Sequence, residues 1–270
     1  MIDEQVCFLT NEAVAEDFYL GRLEAPYIAG RIEPGQFVNI EVSTSVFPLL
    51  RIPLSVCAVN SDAGIIDILY EDMGSKTRLL SQCGPGDKTR CLGPLGKGFA
   101  IPSAGSRAIL VGGGIGVPPM LYWGLTLGQR NCPVTLLVGA RSRGKHLPDH
   151  LLAPAAAVVR RATDDGSLGH AGLVTDLLRD ELLGEGDCTV YCCGPHGMMQ
   201  AVAAVCREFQ VPCQVSLEEY MACGIGICIG CAVELEGEDE ISSSDYTRYG
   251  RVCVDGPVFD AQKVKWMYDG

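Results

Sequence analysis

The chain has 270 residues, 47% of them hydrophobic, with 33 acidic against 21 basic side chains and a net charge of −12. That length allows two or three compact units, and that apolar content excludes a disordered chain. The acidic balance, with no basic stripe, excludes a nucleic-acid partner. The opening residues Met1–Val6 lack the basic-then-apolar pattern of a secretory signal, and no apolar run reaches membrane length. The expectation is a cytoplasmic protein with no membrane partner. Fourteen cysteines would suggest disulfides in a secreted chain, but not here. Cys57, Cys91 and Cys206 sit in apolar stretches and read as small core residues.

Residues 1–102 read as short strands separated by turns. Gln36–Val42 alternates apolar and polar, as a half-buried strand does, and Ile65–Tyr70 follows the turn Ser61–Gly64. Gly84-Pro-Gly86 and Gly93-Pro-Leu-Gly96 mark further turns. Many short strands with few helices predict a small antiparallel barrel. Ser55, in Arg51-Ile-Pro53-Leu54-Ser55, and Thr77, in Gly74-Ser-Lys76-Thr77, could bond a phosphate or a ring edge. Gly74 could open a helix facing an anion. On local chemistry alone, a turn residue at Ser55 and a helix cap at Gly74 are the favoured readings.

Near residue 105 the pattern changes. The apolar run Arg107–Val111 enters Gly112-Gly-Gly114-Ile-Gly116-Val-Pro-Pro119, and a helix-like stretch runs from Met120 to Gln129. Strand, glycine turn and helix form a phosphate-cradling arrangement, although Pro119 stands where the dinucleotide fingerprint has its third glycine. Val134–Val138 predicts a second strand, Asp176–Leu183 a helix, and Thr189–Cys193 a further strand that ends at Gly194-Pro195. Alternating β and α imply a parallel sheet over residues 103–212, with Gly114, Gly116, Gly194 and Pro195 on its ligand-binding rim. The same glycines could be ordinary βα-turn residues. Cys193 could pack beside a nicotinamide or serve as filler, and no acid or base is visible next to it.

The most informative stretch lies in residues 213–270. Cys223, Cys228, Cys231 and Cys253 follow C-x4-C-x2-C…C, the spacing of plant-type [2Fe–2S] ligation. The glycines between them allow tight turns that aim backbone N–H groups at sulfur. Structural zinc, the alternative, favours paired C-x2-C units. Between Cys231 and Cys253, Glu234–Glu240 and Ser242–Asp245 predict a solvated acidic loop.

Three features in this order resemble the ferredoxin-reductase superfamily: a flavin barrel, a nicotinamide domain and an iron–sulfur extension. Within it, the chain is most similar to the electron-transfer subunits of NAD-linked dihydroorotate dehydrogenases. The resemblance rests on Ile52–Ser55, Gly112–Pro119, Cys193-Gly-Pro-His-Gly-Met198, Glu219–Cys223 and Arg251–Phe259. It implies a multi-domain fold: an FAD-binding β-barrel (1–102), an NAD-binding α/β domain (103–212) and a small [2Fe–2S] domain (213–270). It implies FAD contacts at Arg51, Pro53, Leu54, Ser55, Leu69, Tyr70, Glu71, Gly74, Lys76 and Thr77. Nicotinamide contacts would fall at Gly114, Gly116, Pro119, Arg141, Cys193, Gly194 and Pro195. Electrons would pass singly between cluster and FAD, and as hydride between FAD and the nicotinamide. The implied partner is a TIM-barrel, FMN-containing catalytic subunit in a hetero-oligomer; Ile225, Ile227 and Ile229 fit either a docking surface for it or a shield over the cluster.

The sequence departs from that family at two charges. Ile52 and Glu71 stand where it places arginines, while Arg51, Lys76 and Arg78 lie nearby. The departures keep open a reductase subunit of another assembly, ferredoxin- or hydrogenase-linked, with a cluster-bearing sensor as the non-enzymatic alternative. Val138 runs into Gly139-Ala-Arg141-Ser-Arg143-Gly-Lys145, with no acid before Asp149. Three basic side chains lean towards NADP, the resemblance towards NAD. NAD is the expectation, because one Arg can stack on adenine without a phosphate.

Overall fold

The computed structural model describes residues 1–43, 48–236 and 248–266. The N-terminal unit is a closed six-stranded barrel: β1 (Ile2–Ala15), β2 (Phe18–Glu24), β3 (Phe37–Ile40), β4 (Ile52–Asn60), β5 (Ile65–Glu71) and β6 (Lys88–Leu95). Its strands run β1-β2-β5-β4-β3-β6, and all the pairings are antiparallel. Closure leaves no free sheet edge, and alternate residues such as Val38, Ile40, Ile66 and Ile68 fill the interior. The Gly93–Gly96 stretch, expected as a turn, contributes its first three residues to the end of β6. Short helices α1 (Pro26–Ala29) and α2 (Ser75–Ser81) interrupt the barrel sequence.

A seven-stranded sheet follows. It contains β7 (Arg107–Gly113), β8 (Val134–Ala140), β9 (Val158–Thr163), β10 (His170–Ala171), β11 (Cys188–Cys193), β12 (Cys213–Ser216) and β15 (Val258–Asp260), ordered β10-β9-β8-β7-β11-β12-β15. All neighbours are parallel except β12 and β15. Helix α3 (Val117–Gln129) covers one face, together with barrel residues Phe18, Leu69 and Phe99. Helices α5 (Val174–Leu182) and α6 (His196–Glu208) cover the other, and short α4 (Asp149–Leu152) closes the β8–β9 connection. A parallel strand coated on both faces needs continuous apolar residues, which Ala108–Val111 and Leu136–Val138 supply.

The barrel is fixed to this sheet. Phe99 stacks on Trp123 and Tyr191 meets both rings edge-on, with ring centroids 5.5–5.7 Å apart, and the Tyr122 hydroxyl donates to Ile32 O at 2.9 Å. Lys145 spans the same seam to Asp17 and Glu71 at 2.7 and 2.9 Å.

The C-terminal unit is not a separate layer. Its strand β15 adds to the nicotinamide sheet beside β12, so residues on both sides of the expected 212/213 boundary share one sheet. Its own ladder is β13 (Ala232–Glu234) against β14 (Tyr249–Arg251). The expected acidic loop falls mostly outside the described residues. Glu234, its first member, is not a solvated charge: it pairs with Lys265 and Arg248 at 2.7 and 3.2 Å. No helix among the described residues is long and apolar enough to cross a membrane.

Candidate functional site

The four motif cysteines come together as two pairs. The 223–228 segment folds back on itself, so Ile225 N and Cys228 N donate to Cys223 Sγ at 3.5 and 3.4 Å. Gly230 N donates to Cys228 Sγ at 3.5 Å. The β13–β14 ladder closes the gap in sequence before Cys253: Val252 N meets Cys231 O at 3.0 Å, and Cys253 N meets Cys231 Sγ at 3.5 Å. Cys223 lies against Cys228, and Cys231 against Cys253. Among the described residues no three such side chains converge on a single-ion site. Two irons held by two thiolates each suit this paired arrangement.

The glycines of this loop have physical reasons to be glycine. Gly226 has φ +83°, and a Cβ there would stand 2.6 Å from Val254 Cγ2. Burial works to raise the Cys223 thiol, but N–H donors from Cys228 and Ile225 outweigh it and bring the thiol down to about 6. Cys253 is instead pushed up to about 12, by burial and by its neighbour Cys231. Arg251 braces the loop, donating to Gly226 O at 3.2 Å and to Asp255 at 3.1 Å. Cys231 and Cys253 are 3% and 2% exposed, whereas Ile227 and Ile229 beside Cys228 are 75% and 61% exposed. Ile225 is half-buried and packs on the core.

The nucleotide rim lies at the switch point of the sheet, where β7 pairs with β8 on one side and β11 on the other. Cys193 stands opposite Gly112, and the two glycine turns interlock. A Cβ on Gly116 would lie 2.2 Å from Cys193 C and O, and one on Gly194 would lie 2.6 Å from Met198 Cε. Gly114 has φ +52° and faces open space, as a backbone that approaches a phosphate must. Pro195 is exposed on the same rim. Pro119 is buried within α3. Arg141, after β8, has no side-chain partner among the described residues. Arg143 is tied to Ser167 O at 2.9 Å, and Lys145 is held at the barrel seam.

Between these sites opens a cavity of about 860 Å³. Pro53, Leu54, Ser55 and Leu69 of the barrel line it, with Ile115 of the glycine turn and Glu218, Tyr220 and Met221 of the C-terminal unit. Six expected flavin contacts lie outside this lining: Arg51, Tyr70, Glu71, Gly74, Lys76 and Thr77. Arg51 forms a two-point ion pair with Asp3 at 2.7 and 2.9 Å, away from the lining. Tyr70 is 0% exposed, its hydroxyl on Asn11 Oδ1 at 2.8 Å inside the barrel, because the strand turns that face inward. Glu71 holds Lys145. Thr77 Oγ1 accepts from Met73 N and Gly74 N, both at 3.0 Å, and so caps α2, where Gly74 is the N-cap. Lys76 reaches Arg51 O at 3.1 Å, and Arg78 lies 3.6 Å from Asp72.

An acid does stand beside Cys193. Its Sγ meets Glu218 Oε1 at 3.6 Å. Burial, then Glu218, pushes the thiol well up, so it is a neutral donor and no nucleophile. Glu218 is accessible to the water of the cavity yet crowded by protein on its other sides, and that desolvation raises its carboxyl. Nothing local signals this contact, since 25 residues separate the partners.

A barrel, a nucleotide-binding sheet and a C-terminal unit that wall one cavity, the last of them carrying a four-thiolate loop, define a ferredoxin-reductase-like electron carrier. The model of the iron–sulfur cluster binding domain of dihydroorotate dehydrogenase B matches residues 218–265, and that of the oxidoreductase NAD-binding domain matches residues 110–204. The chain belongs to the family of electron transfer subunits of dihydroorotate dehydrogenase B (NAD(+)). It is 38% identical to that of Desulforamulus reducens over 94% of both chains, and 40% identical to that of Bacillus caldolyticus over 97% and 98%. It also superposes on a chain from the NADH-dependent reduced ferredoxin-NADP oxidoreductase, a structure described for flavin-based electron bifurcation. That match has a TM-score of 0.83 at 30% identity and covers 96% of this chain and 89% of the other. Phthalate dioxygenase reductase, at 19% identity and a TM-score of 0.64 over 97% and 96%, shares the fold.

Proposed function

We propose that this chain carries electrons between a catalytic flavoprotein that oxidises dihydroorotate and NAD, using its own FAD and [2Fe–2S] cluster. The observation that carries the reading is the shared cavity: barrel strand, glycine turn and cluster unit all contribute to its wall. Pro53, Leu54, Ser55 and Leu69 hold the flavin ring; Gly114, Gly116, Gly194 and Pro195 receive the dinucleotide, with Cys193 beside the nicotinamide. The backbone of α2 from Gly74 to Thr77 borders the flavin diphosphate, and Thr77 acts by shaping that turn. Cys223, Cys228, Cys231 and Cys253 hold the iron. When bound, the flavin exchanges hydride with the nicotinamide and single electrons with the cluster. The protein fixes distances, excludes water and keeps Cys193 protonated.

NAD is the favoured dinucleotide. Of the three basic side chains after β8, two already have protein partners, and Arg141 alone is left for the adenosine. The catalytic partner is a TIM-barrel, FMN-containing subunit that docks over Ile227 and Ile229, in the cytoplasm. A second reading, the small subunit of a ferredoxin-linked assembly, draws on the 30% identity to the reduced ferredoxin-NADP oxidoreductase chain. Purifying the native complex and identifying the co-eluting subunit by mass spectrometry separates the two. A dihydroorotate-oxidising partner supports the first reading, and a ferredoxin- or NADP-binding partner overturns it.

A further inference from the structure

One loop touches both the nucleotide sheet and the flavin barrel. Strand β8 ends at Ala140, on the rim where a doubly wound sheet receives a dinucleotide, and residues 141–145 follow it. The loop is fixed from two sides. On the sheet side Arg143 N donates to Ser167 Oγ at 2.8 Å, and its guanidinium donates to Ser167 O at 2.9 and 3.1 Å. On the barrel side Glu16 N donates to Gly144 O at 3.0 Å. A Cβ on Gly144 would stand 2.5 Å from Glu16 Oε2, so the loop backbone lies directly against the β1–β2 turn. Lys145 Nζ then donates to Asp17 Oδ2 at 2.7 Å and to Glu71 Oε1 at 2.9 Å.

These two acids sit on the chain that frames the cavity. Glu71 is the middle residue of the segment from Leu69 to Met73, and both ends of that segment line the cavity. Asp17 O accepts from Asp72 N at 2.8 Å, so the β1–β2 turn holds the same segment. Asp17 has φ +63°, in the left-handed region that a non-glycine residue keeps only when its surroundings hold it there. The side chains of Lys145 and Glu71 are 22% and 20% exposed, so solvent screens this pair less than an open surface pair. Without the ammonium, two carboxylates would face each other across the seam and push the β1–β2 turn away from the end of β5.

We propose that Lys145 is a positioning residue that couples dinucleotide binding to flavin retention. The inference rests on the reading of the cavity as the flavin site and of Arg141 as the adenosine contact. A dinucleotide that engages Arg141 orders the loop four residues before Lys145. The ordered loop keeps Lys145 on Glu71 and Asp17, and the clamped segment keeps Leu69 and Met73 against the flavin. Linkage makes the coupling reciprocal: bound flavin tightens the dinucleotide by the same factor as the dinucleotide tightens flavin.

The test uses the purified full chain with flavin and cluster loaded, and follows FAD release on dilution by its fluorescence. The probe is NAD+, which cannot reduce the oxidised flavin. Saturating NAD+ should slow release about fivefold or more in the wild type. Lys145→Met, similar in length but uncharged, should release flavin at one rate with and without NAD+, and Lys145→Arg should restore the difference. A merely structural role would speed release by the same factor in both conditions and leave the NAD+ effect intact, which overturns the inference. Should the methionine variant fail to fold, Asp17→Asn combined with Glu71→Gln opens the same clamp from the barrel side and carries the same expectation. Calorimetric titration with NAD+ separates this inference from its parent. A wild type that binds NAD+ but releases flavin at an unchanged rate overturns the coupling alone. A chain that holds no flavin, or binds no NAD+, overturns the parent reading and this inference with it.

Discussion

Replacing Gly116 with alanine tests the claim that two interlocked turns form the nucleotide rim. Gly116 has φ −78°, so the substitution carries no left-handed strain and its effect is steric. The new Cβ would stand 2.2 Å from Cys193 C and O and 2.3 Å from Gly194 N. Ordinary carbon contacts begin near 3.5 Å, so the turns must separate by about 1.3 Å. The obstacle is backbone, held where Cys193 pairs with Gly112, and no rotamer change relieves it. Overpacking of this kind costs about 1–3 kcal/mol of stability. A misplacement of about 1 Å at a reacting site costs about 100-fold in rate. We expect kcat/KM for NADH in dye reduction to fall about 100-fold, with flavin content retained. Gly128→Ala is the control: nothing lies within 4 Å of its Cβ position. It should leave the rate unchanged and stabilise α3 by up to about 1 kcal/mol. If Gly116→Ala stays within about twofold of wild type, less than 0.5 kcal/mol, the turns are not the dinucleotide rim.

The remaining predictions concern charge and ligation. Folding raises the Glu218 carboxyl, so the native state holds its proton more tightly than the unfolded chain does. The contribution of Glu218 to stability is then fully present below the ordinary glutamate range, about pH 4.3, and is lost as pH rises through the raised value. Glu218→Gln should flatten that fall in thermal unfolding followed against pH; an identical pH profile in both proteins refutes the assignment. Cys223→Ser, Cys228→Ser, Cys231→Ser and Cys253→Ser should each lose most of the visible iron–sulfur absorbance. Cys206→Ser, in the α6 core, should keep it, and one zinc without iron on metal analysis contradicts the whole set. Wild type should prefer NADH, and Arg141→Ala should weaken NADH binding. A tenfold preference for NADPH that Arg141→Ala abolishes, about 1.4 kcal/mol, would reverse the choice of dinucleotide.

Much of the fold was legible because it rests on local signals. The cysteine spacing, the strand-into-glycine run at Arg107–Gly116 and the short strands before residue 102 each carry their own pattern. Other elements carry none. β15 is three residues long and becomes a strand only because β12 offers it an edge. α6 follows Gly194-Pro195 without a polar cap, and β9 begins in a run of alanines and valines. The site was half legible for the same reason. Ser55 and the four cysteines carry polar or thiolate chemistry at characteristic spacings. Glu218 gains its meaning from a partner 25 residues away in sequence. Tyr70 and Pro119 lie within motif positions, and their side chains are buried by packing that the motif alone does not reveal. Arg51, a flavin contact by resemblance, and Thr77, a phosphate or ring-edge partner by type, both have protein partners that sequence spacing does not reveal.

The measurement that bears most directly on the account is anaerobic titration of the purified full chain with NADH, followed together by flavin absorbance and low-temperature EPR. The account requires the flavin to bleach and the [2Fe–2S] signal to appear in the same titration, and Cys253→Ser to keep the bleaching while losing the signal. A flavin that bleaches beside a cluster that stays oxidised even with excess NADH, or a chain with no flavin at all, contradicts it.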